Sequence, residues 1–189
     1  MQAIPGDLPT AGIEQEIAEL HERESGGMLR YAASLAPDGD IAHDAVQEAF
    51  FKLFLCRSGG QSIAAPKAWL FRVVRNYILD LKKAGCRKAI AMEVLANAPG
   101  LVRVPETDNR LSDLLAGLAQ CGLSPREIEC VRLRAEDLRY DEIAGVLGLQ
   151  RGTVGALLAR AHGKLRKAVD GVSKKRNFTH LEREKRYAS

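Results

Sequence analysis

Cysteines and long apolar runs are both scarce in this sequence of 189 residues. Its four cysteines, Cys56, Cys86, Cys121 and Cys130, form no C-x-x-C pair, which argues against a zinc site and against a disulfide framework. No run approaches the roughly 18 apolar residues that a membrane span needs, and no apolar segment follows a basic N-terminus. We therefore predict a cytoplasmic protein with reduced thiols and no membrane span.

The sequence also lacks the motifs of common catalytic sites. It contains no G-x-S-x-G elbow, no Walker loop and no H-E-x-x-H pair. Its four histidines, His21, His43, His162 and His180, lie far apart along the chain. We predict that the protein is not an enzyme, that it has no catalytic residues and no metal site, and that it needs no cofactor.

Strand-forming residues are sparse and seldom alternate with polar ones. Leu, Ala, Arg, Glu and Lys instead recur at spacings of three and four residues, which favours helices along almost the whole chain. The hydrophobic content of 46% is enough to bury a core in one ordinary domain or in two small ones. The predicted fold class is all-α.

Charge is segregated into blocks along the chain. Residues 1–48 contain 2 Lys or Arg against 10 Asp or Glu, and residues 49–90 contain 9 against 1. Residues 91–150 contain 6 against 10, and residues 151–189 contain 11 against 3. Two basic blocks, each beside an acidic one, indicate two places where a polyanion is held. The plain alternative is that these blocks are solvated helix faces.

The breaks in the helical pattern predict two small helical domains joined by a flexible linker. Residues 1–12 form a flexible lead-in, residues 13–90 the first domain, residues 91–107 the linker, residues 108–170 the second domain, and residues 171–189 a basic tail. For the tail, a disordered and solvated segment is favoured over a short basic helix capped at Thr179.

In the first domain we predict helices over about 13–35, from a cap at Asp40, and from Pro66, with a loop over 56–65. The third helix combines an apolar face with basic and amide side chains that suit single-stranded nucleic acid. The candidate residues are Arg72, Arg75, Asn76, Lys82 and Lys83. Trp69 has the spacing of a core residue rather than of a stacking platform.

In the second domain, Ser124 to Glu127 is an S-x-x-E capping box with a proline in the first turn. Helical stretches over 140–147 and about 151–169, separated by Gly148-Leu149, have the spacing of a helix-turn-helix. The candidate DNA-binding residues of the second stretch are Arg151, Thr153, Arg160 and Lys164. The alternative is a helical hairpin that only packs.

These residues resemble a known family. The stretches Asp40–Phe50, Pro66–Asn76, Leu123–Glu127, Glu142–Ala144 and Gly152–Val154 look like the extracytoplasmic-function class of bacterial RNA polymerase sigma factors, in the expected order. The resemblance covers about residues 20–170. It implies a region 2 domain of three helices followed by a region 4 helix-turn-helix domain, in a factor that binds core polymerase, recognises promoter DNA and promotes strand opening.

The resemblance also assigns roles to individual positions. Asp44, Gln47 and Glu48 match the surface that grips the largest polymerase subunit. Asn76 and the basic residues after it match the part that captures the opened minus-ten element, and the loop 57–64 matches the one that holds a flipped-out base. The second domain is then expected to bind the minus-thirty-five element as duplex, and an anti-sigma factor is an expected partner.

Two positions depart from the family pattern. Gly155 and Ala156 stand where a basic and a hydroxyl residue are common, which predicts weak or shape-dependent upstream recognition. Arg139 stands where a serine or threonine usually caps the next helix, so we expect that helix start to be less stable by about 1 kcal/mol.

Two other functions remain open at this point. A LuxR-like helix-turn-helix regulator would bind duplex DNA alone and would have no use for Gln47 and Glu48. A sigma mimic would sequester an anti-sigma factor without contacting promoters, a hypothesis that Gly155 and Ala156 support and that the basic third helix argues against.

Overall fold

The computed structural model describes residues 10–36, 38–95 and 117–187, with side chains described over 12–36, 38–85 and 117–170. Every regular element in these ranges is a helix, which confirms the predicted fold class. None of the described helices combines the length and the apolar character that a membrane span requires. The chain divides into two compact units, one built on the first three long helices and one on the last three.

The first unit consists of α1 (Thr10–Leu35), α2 (Gly39–Ser58) and α3 (Pro66–Leu95). Each helix turns an apolar stripe toward the other two, because its buried residues recur at three- and four-residue spacing. The Tyr31 and Phe71 rings meet with centroids 5.4 Å apart, which joins α1 to α3, and His21 and Phe50 join α1 to α2 at 4.8 Å. The fully buried side chains around them include Met28, Leu53, Leu70, Val74 and Ile78.

Helix ends in this unit differ from the predictions by a few residues. α2 is capped by Asp38, whose side chain accepts a hydrogen bond from the Ile41 amide at 2.8 Å, so the predicted cap at Asp40 was wrong. Asp40 lies inside the first turn, where an acidic side chain favours the positive end of the helix dipole. The predicted start at Pro66 is confirmed.

The long helices also run further than the sequence pattern indicated. α1 begins at Thr10 and continues through Gly26-Gly27, since the surrounding core supports the helix there. α2 ends at Ser58, so the connecting loop is shorter than predicted and covers 59–65. α3 continues five residues past position 90, and the predicted linker boundaries beyond residue 95 lie outside the described residues.

The second unit consists of α4 (Pro125–Ala135), α5 (Tyr140–Leu147) and α6 (Arg151–Tyr187). Ser124 caps α4 in a complete capping box, as predicted: its hydroxyl accepts from the Glu127 amide, and the Glu127 carboxylate accepts from the Ser124 amide. Residues 117–120, shortly before this capping box, are also helical. The core of the unit includes Leu133, Leu138, Ile143, Val154 and Leu158.

The helix-turn-helix is formed by α5 and the start of α6. Gly148 has a φ of 65°, a conformation that only glycine adopts without strain, and it lets the chain turn within three residues. The turn is closed by a 2.9 Å hydrogen bond that the Leu149 amide donates to the Ala144 carbonyl. α6 continues to Tyr187 as one helix, so the backbone there is neither disordered nor a separate short helix capped at Thr179.

The start of α5 makes up for part of the missing cap. The Arg139 amide donates to a Glu142 carboxylate oxygen at 2.7 Å, and its guanidinium donates to the other oxygen at 3.2 Å. Burial raises the pKa of Glu142, but these hydrogen bonds and the Arg139 charge outweigh burial and leave the pKa lowered. Glu142 therefore supplies one half of a capping box, while the half that a hydroxyl at position 139 would supply is missing.

Candidate functional site

The outward face of α2 brings together the three residues predicted to bind polymerase. Asp44, Gln47 and Glu48 line one open groove with Phe51 and Tyr77. Their spacing of three and four residues places the α2 members on one side of the helix, opposite the buried stripe. Glu48 also forms a 3.1 Å ion pair with Lys52 one turn further along. This face, Asp44 to Phe51, is called the acidic face below.

Two exposed apolar side chains extend the acidic face, and the sequence analysis did not single them out. Phe51 is 58% exposed and Leu55 is 52% exposed. They lie four residues apart and fall between the members of the buried stripe, a pattern that was visible in the sequence. Large apolar side chains beside charged ones are typical of protein contact surfaces.

The candidate nucleic-acid residues of the first unit lie on α3. Arg72, Asn76, Lys82 and Lys83 are exposed, and Arg75 is half-buried. Arg72, Asn76 and Lys83 recur at spacings of four and seven residues, which places them on one face of the helix. Lys83 forms an exposed 3.2 Å ion pair with Asp80, a contact that water screens. This face, Arg72 to Lys83, is called the basic face below.

Tyr77 lines two open grooves. One is the groove of the acidic face, and the other is also lined by Lys52 of α2 and by Asn76, Asp80 and Leu81 of α3. The Tyr77 ring is half-buried, as is that of Trp69, which we predicted to be a core residue. The acidic face and Asn76 of the basic face therefore lie beside the same aromatic side chain.

In the second unit the start of α6 is accessible. Arg151, Gly152 and Thr153 are all exposed in its first turn, where backbone amides lack acceptors within the helix. An exposed hydroxyl and a guanidinium beside such amides suit an anionic ligand such as a backbone phosphate.

Arg160 and Lys164, also predicted to bind DNA, instead contact a buried carboxylate. Glu127 is only 3% exposed; it lies 2.7 Å from Lys164 and 3.6 Å from Arg160. Lys164 further donates to the Gly122 carbonyl at 2.8 Å. The hydrogen bonds from Lys164 and from the Ser124 amide lower the pKa of Glu127 to about 2. These two basic residues connect α6 to the start of α4, and their role in DNA binding stays a prediction.

Gly155 lies on α6 against the ring of Tyr140. A Cβ added there would be 3.8 Å from the nearest ring carbon, which is ordinary van der Waals contact. We expect Gly155→Ala to stabilise the second unit by about 0.5–1 kcal/mol, because glycine in a helix interior is disfavoured relative to alanine. Urea unfolding followed by circular dichroism measures this change.

Gly163→Ala is the matched control, since a Cβ there meets open space on the same helix. Both variants should gain a similar amount if helix propensity is the cause. A loss of stability in Gly155→Ala alone would contradict the described contact with Tyr140.

The described residues hold no group of three or more His, Cys, Asp or Glu side chains that is placed to bind a metal ion. Cys56, Cys121 and Cys130 are free thiols. Burial, reinforced by Glu129 and Glu127, raises the pKa of Cys130 to about 11, so this thiol stays protonated near neutral pH and is a poor nucleophile.

Comparison with family models identifies both units. Residues 20–87 match the model of sigma-70 region 2, and residues 121–165 match that of sigma-70 region 4. The two matches together cover more than half of the chain. They fall on the unit that carries the acidic and basic faces and on the unit that carries the helix-turn-helix, respectively.

Two curated relatives of this chain are RNA polymerase sigma factors. The ECF RNA polymerase sigma factor SigE of Mycolicibacterium smegmatis is 32% identical over 157 residues, which are 78% of this chain and 59% of SigE. The RNA polymerase sigma-E factor of Streptomyces avermitilis is 29% identical over 174 residues, which are 90% of this chain and 93% of the relative.

Solved structures share the fold. CnrH, solved in complex with the cytosolic domain of CnrY, superposes with a TM-score of 0.59 at 22% identity and covers 86% of this chain and 92% of CnrH. RpoE of Bartonella quintana, solved with the anti-sigma factor NepR, gives a TM-score of 0.55 at 21% identity and covers 80% and 97%. The chain therefore belongs to the sigma-70 family of RNA polymerase sigma factors, in the extracytoplasmic-function class.

Proposed function

We propose that this chain binds core RNA polymerase through the acidic face of α2 and directs it to promoters. The observation that supports this proposal best is that Tyr77 lines the groove of the acidic face and also a second groove that contains Asn76 of the basic face. Carboxylates around exposed Phe51 suit a basic protein surface, where charge guides the approach and the apolar side chain supplies contact area.

The basic face then holds the opened minus-ten strand. Arg72 and Lys83 attract phosphates, the Asn76 amide hydrogen-bonds base edges, and the Tyr77 ring offers a surface for stacking. Capturing an unstacked base offsets the few kcal/mol that unstacking costs, so melting needs no nucleotide hydrolysis by this chain. The proposal assigns no catalytic residue, and it places the chain in the cytoplasm, where bacterial polymerase acts.

In the second unit, the first turn of α6 contacts upstream duplex DNA. Arg151 and Thr153 are exposed there, whereas Arg160 and Lys164 already contact Glu127. The second unit therefore binds upstream DNA through few phosphate contacts. Because Gly155 and Ala156 on the same helix offer no polar side chain to the bases, the unit discriminates weakly between upstream sequences.

An anti-sigma factor is a second proposed partner. Both solved relatives were captured with another protein, CnrY in one case and the anti-sigma factor NepR in the other. We propose that such a protein covers the exposed apolar side chains Phe51 and Leu55 in the inactive state. A sigma mimic without promoter activity would share this partner, so transcription is the decisive readout.

In vitro transcription with core polymerase on pooled genomic fragments tests the proposed function. We expect discrete start sites that depend on the chain, since promoter choice is the property that core polymerase gains from it. Core polymerase alone is the control. Binding to an anti-sigma factor without any selected start site would instead support the sigma mimic, and binding to duplex DNA without binding to core polymerase would support the LuxR-like regulator.

A further inference from the structure

Arg57, in the last turn of α2, makes a long-range ion pair that neither family match explains. Its Nη2 atom lies 2.8 Å from Oε1 of Glu16, which is 41 residues earlier, in α1. The arginine side chain is 18% exposed and the glutamate side chain is 50% exposed. The match to region 2 begins at residue 20, so Glu16 lies outside it.

Glu16 satisfies the guanidinium of Arg57 only in part. The Nε atom of Arg57 is buried and finds no hydrogen-bond acceptor among the described residues. A guanidinium presents its N–H groups as a planar fork that carboxylates or phosphates fill best with two oxygens. A single oxygen at Nη2 leaves a charged donor without a partner, so another anion that engages both nitrogens competes well with Glu16.

The position of Arg57 indicates which anion this is. The loop over 59–65 begins two residues later, exposes Gln61 and Ser62, and leads directly into α3 with its basic face. Residues 49–90, which contain Arg57, hold 9 Lys or Arg against 1 Asp or Glu. A strand held on the basic face and continued along the loop 59–65 would place its phosphates at the end of α2.

The first turns of α1 are acidic and repel a DNA strand that approaches Arg57. Before Leu20, no residue of α1 with a described side chain is buried, and Glu14, Glu16 and Glu19 give this stretch an acidic character. Of the three, Glu16 is the one that reaches Arg57.

We propose that Arg57 is a phosphate-binding residue for the single-stranded promoter DNA and that Glu16 occupies it as an internal competitor until DNA arrives. This proposal rests on the proposed function, because it assigns one more contact to the same strand. Exchange of the Glu16 carboxylate for a phosphate keeps the charge of Arg57 paired and fills its second donor. DNA must displace Glu16, so the ion pair weakens binding of a strand that reaches Arg57 and leaves the binding of other strands unchanged.

A fluorescence anisotropy titration of the full chain with a short, labelled, random-sequence single strand tests this. Glu16→Gln is expected to bind about two- to fivefold more tightly than the wild type, since an ion pair of this kind has a modest free energy. Arg57→Gln should bind more weakly, and adding Glu16→Gln to it should give no further gain. Glu14→Gln, an exposed position on the same helix with the same loss of charge, controls for general electrostatics.

Equal gains in Glu16→Gln and Glu14→Gln would overturn the proposal, and so would an additive gain in the double variant. A lower midpoint of thermal unfolding in Glu16→Gln without tighter binding would mean that the ion pair only holds the fold. In vitro transcription by the wild-type chain is scored separately. Promoter-dependent transcripts together with an unchanged Glu16→Gln affinity reject this inference and leave the proposed function in place.

Discussion

Reversing the charge of Glu48 is expected to lower promoter-dependent transcription by about tenfold or more. Glu48 lies at the centre of the acidic face, between Gln47 and Phe51. A lysine there would repel a basic partner and would also face Lys52 one turn away, where the wild type has a 3.1 Å ion pair. A tenfold loss of affinity corresponds to about 1.4 kcal/mol, which is modest for an inverted charge at a protein interface.

The measurement is run-off transcription over a range of chain concentrations, together with pull-down of core polymerase. Glu22→Lys is the matched control, because it makes the same charge change at an exposed position of α1. Fluorescence of Trp69, the single tryptophan, reports whether the first unit stays folded. Normal transcription by folded Glu48→Lys would place the polymerase contact elsewhere on the chain.

Replacing Glu127 by alanine is expected to produce the largest loss of stability in the second unit. The carboxylate completes the α4 capping box and receives two basic side chains from α6. Its removal leaves the Ser124 amide without its acceptor and Lys164 without its anion. We expect the midpoint of thermal unfolding to fall by roughly 5 °C or more. Circular dichroism follows this transition, while the emission of Trp69, which lies in the other unit, should not change.

The pH dependence separates the charge of Glu127 from its hydrogen bonds. The pKa of Glu127 is about 2 in the folded chain against an ordinary 4.5, so the folded state binds the proton less readily. The stabilisation is therefore fully present above about pH 4.5 and is lost as the pH falls toward 2.

Glu127→Gln should lose this acid dependence, because a glutamine keeps the capping box without a titratable group. Asp170→Asn, at an exposed position of α6, should behave as the wild type. An acid dependence that persists in Glu127→Gln would assign it to other carboxylates.

Local features of the fold were predictable from sequence, because they depend on neighbouring residues. The capping box from Ser124 to Glu127, the proline that opens α3 and the glycine turn between α5 and α6 are each encoded within a few positions. The all-α class followed from residue spacing for the same reason. Helix ends were less predictable, since Asp38 and Asp40 are both good caps and the choice depends on how α2 packs.

Contacts between residues far apart in the sequence could not be predicted from such local patterns. The sequence identified Glu127 as a capping residue, but not that Lys164, 37 positions away, contacts the same carboxylate. The predicted DNA contacts of Lys164 and Arg160 therefore took no account of this carboxylate, and they stay predictions. The pairing of Arg57 with Glu16 likewise depends on how α1 lies across the end of α2. The sequence showed that Phe51 lies outside the buried stripe of α2. Which partner binds this side chain depends on the charges around it in the fold.

Because Tyr77 lines two grooves, ligands bound in the two grooves affect each other's affinity. A ligand seated in either groove restricts the same phenol ring, so occupancy of one groove changes the free energy of occupying the other. Linkage requires that this effect be reciprocal. The factor by which bound polymerase changes the affinity for the strand equals the factor by which the bound strand changes the affinity for polymerase. Under the proposed function, dissociation of the DNA strand and dissociation of the factor from polymerase are therefore two coupled equilibria.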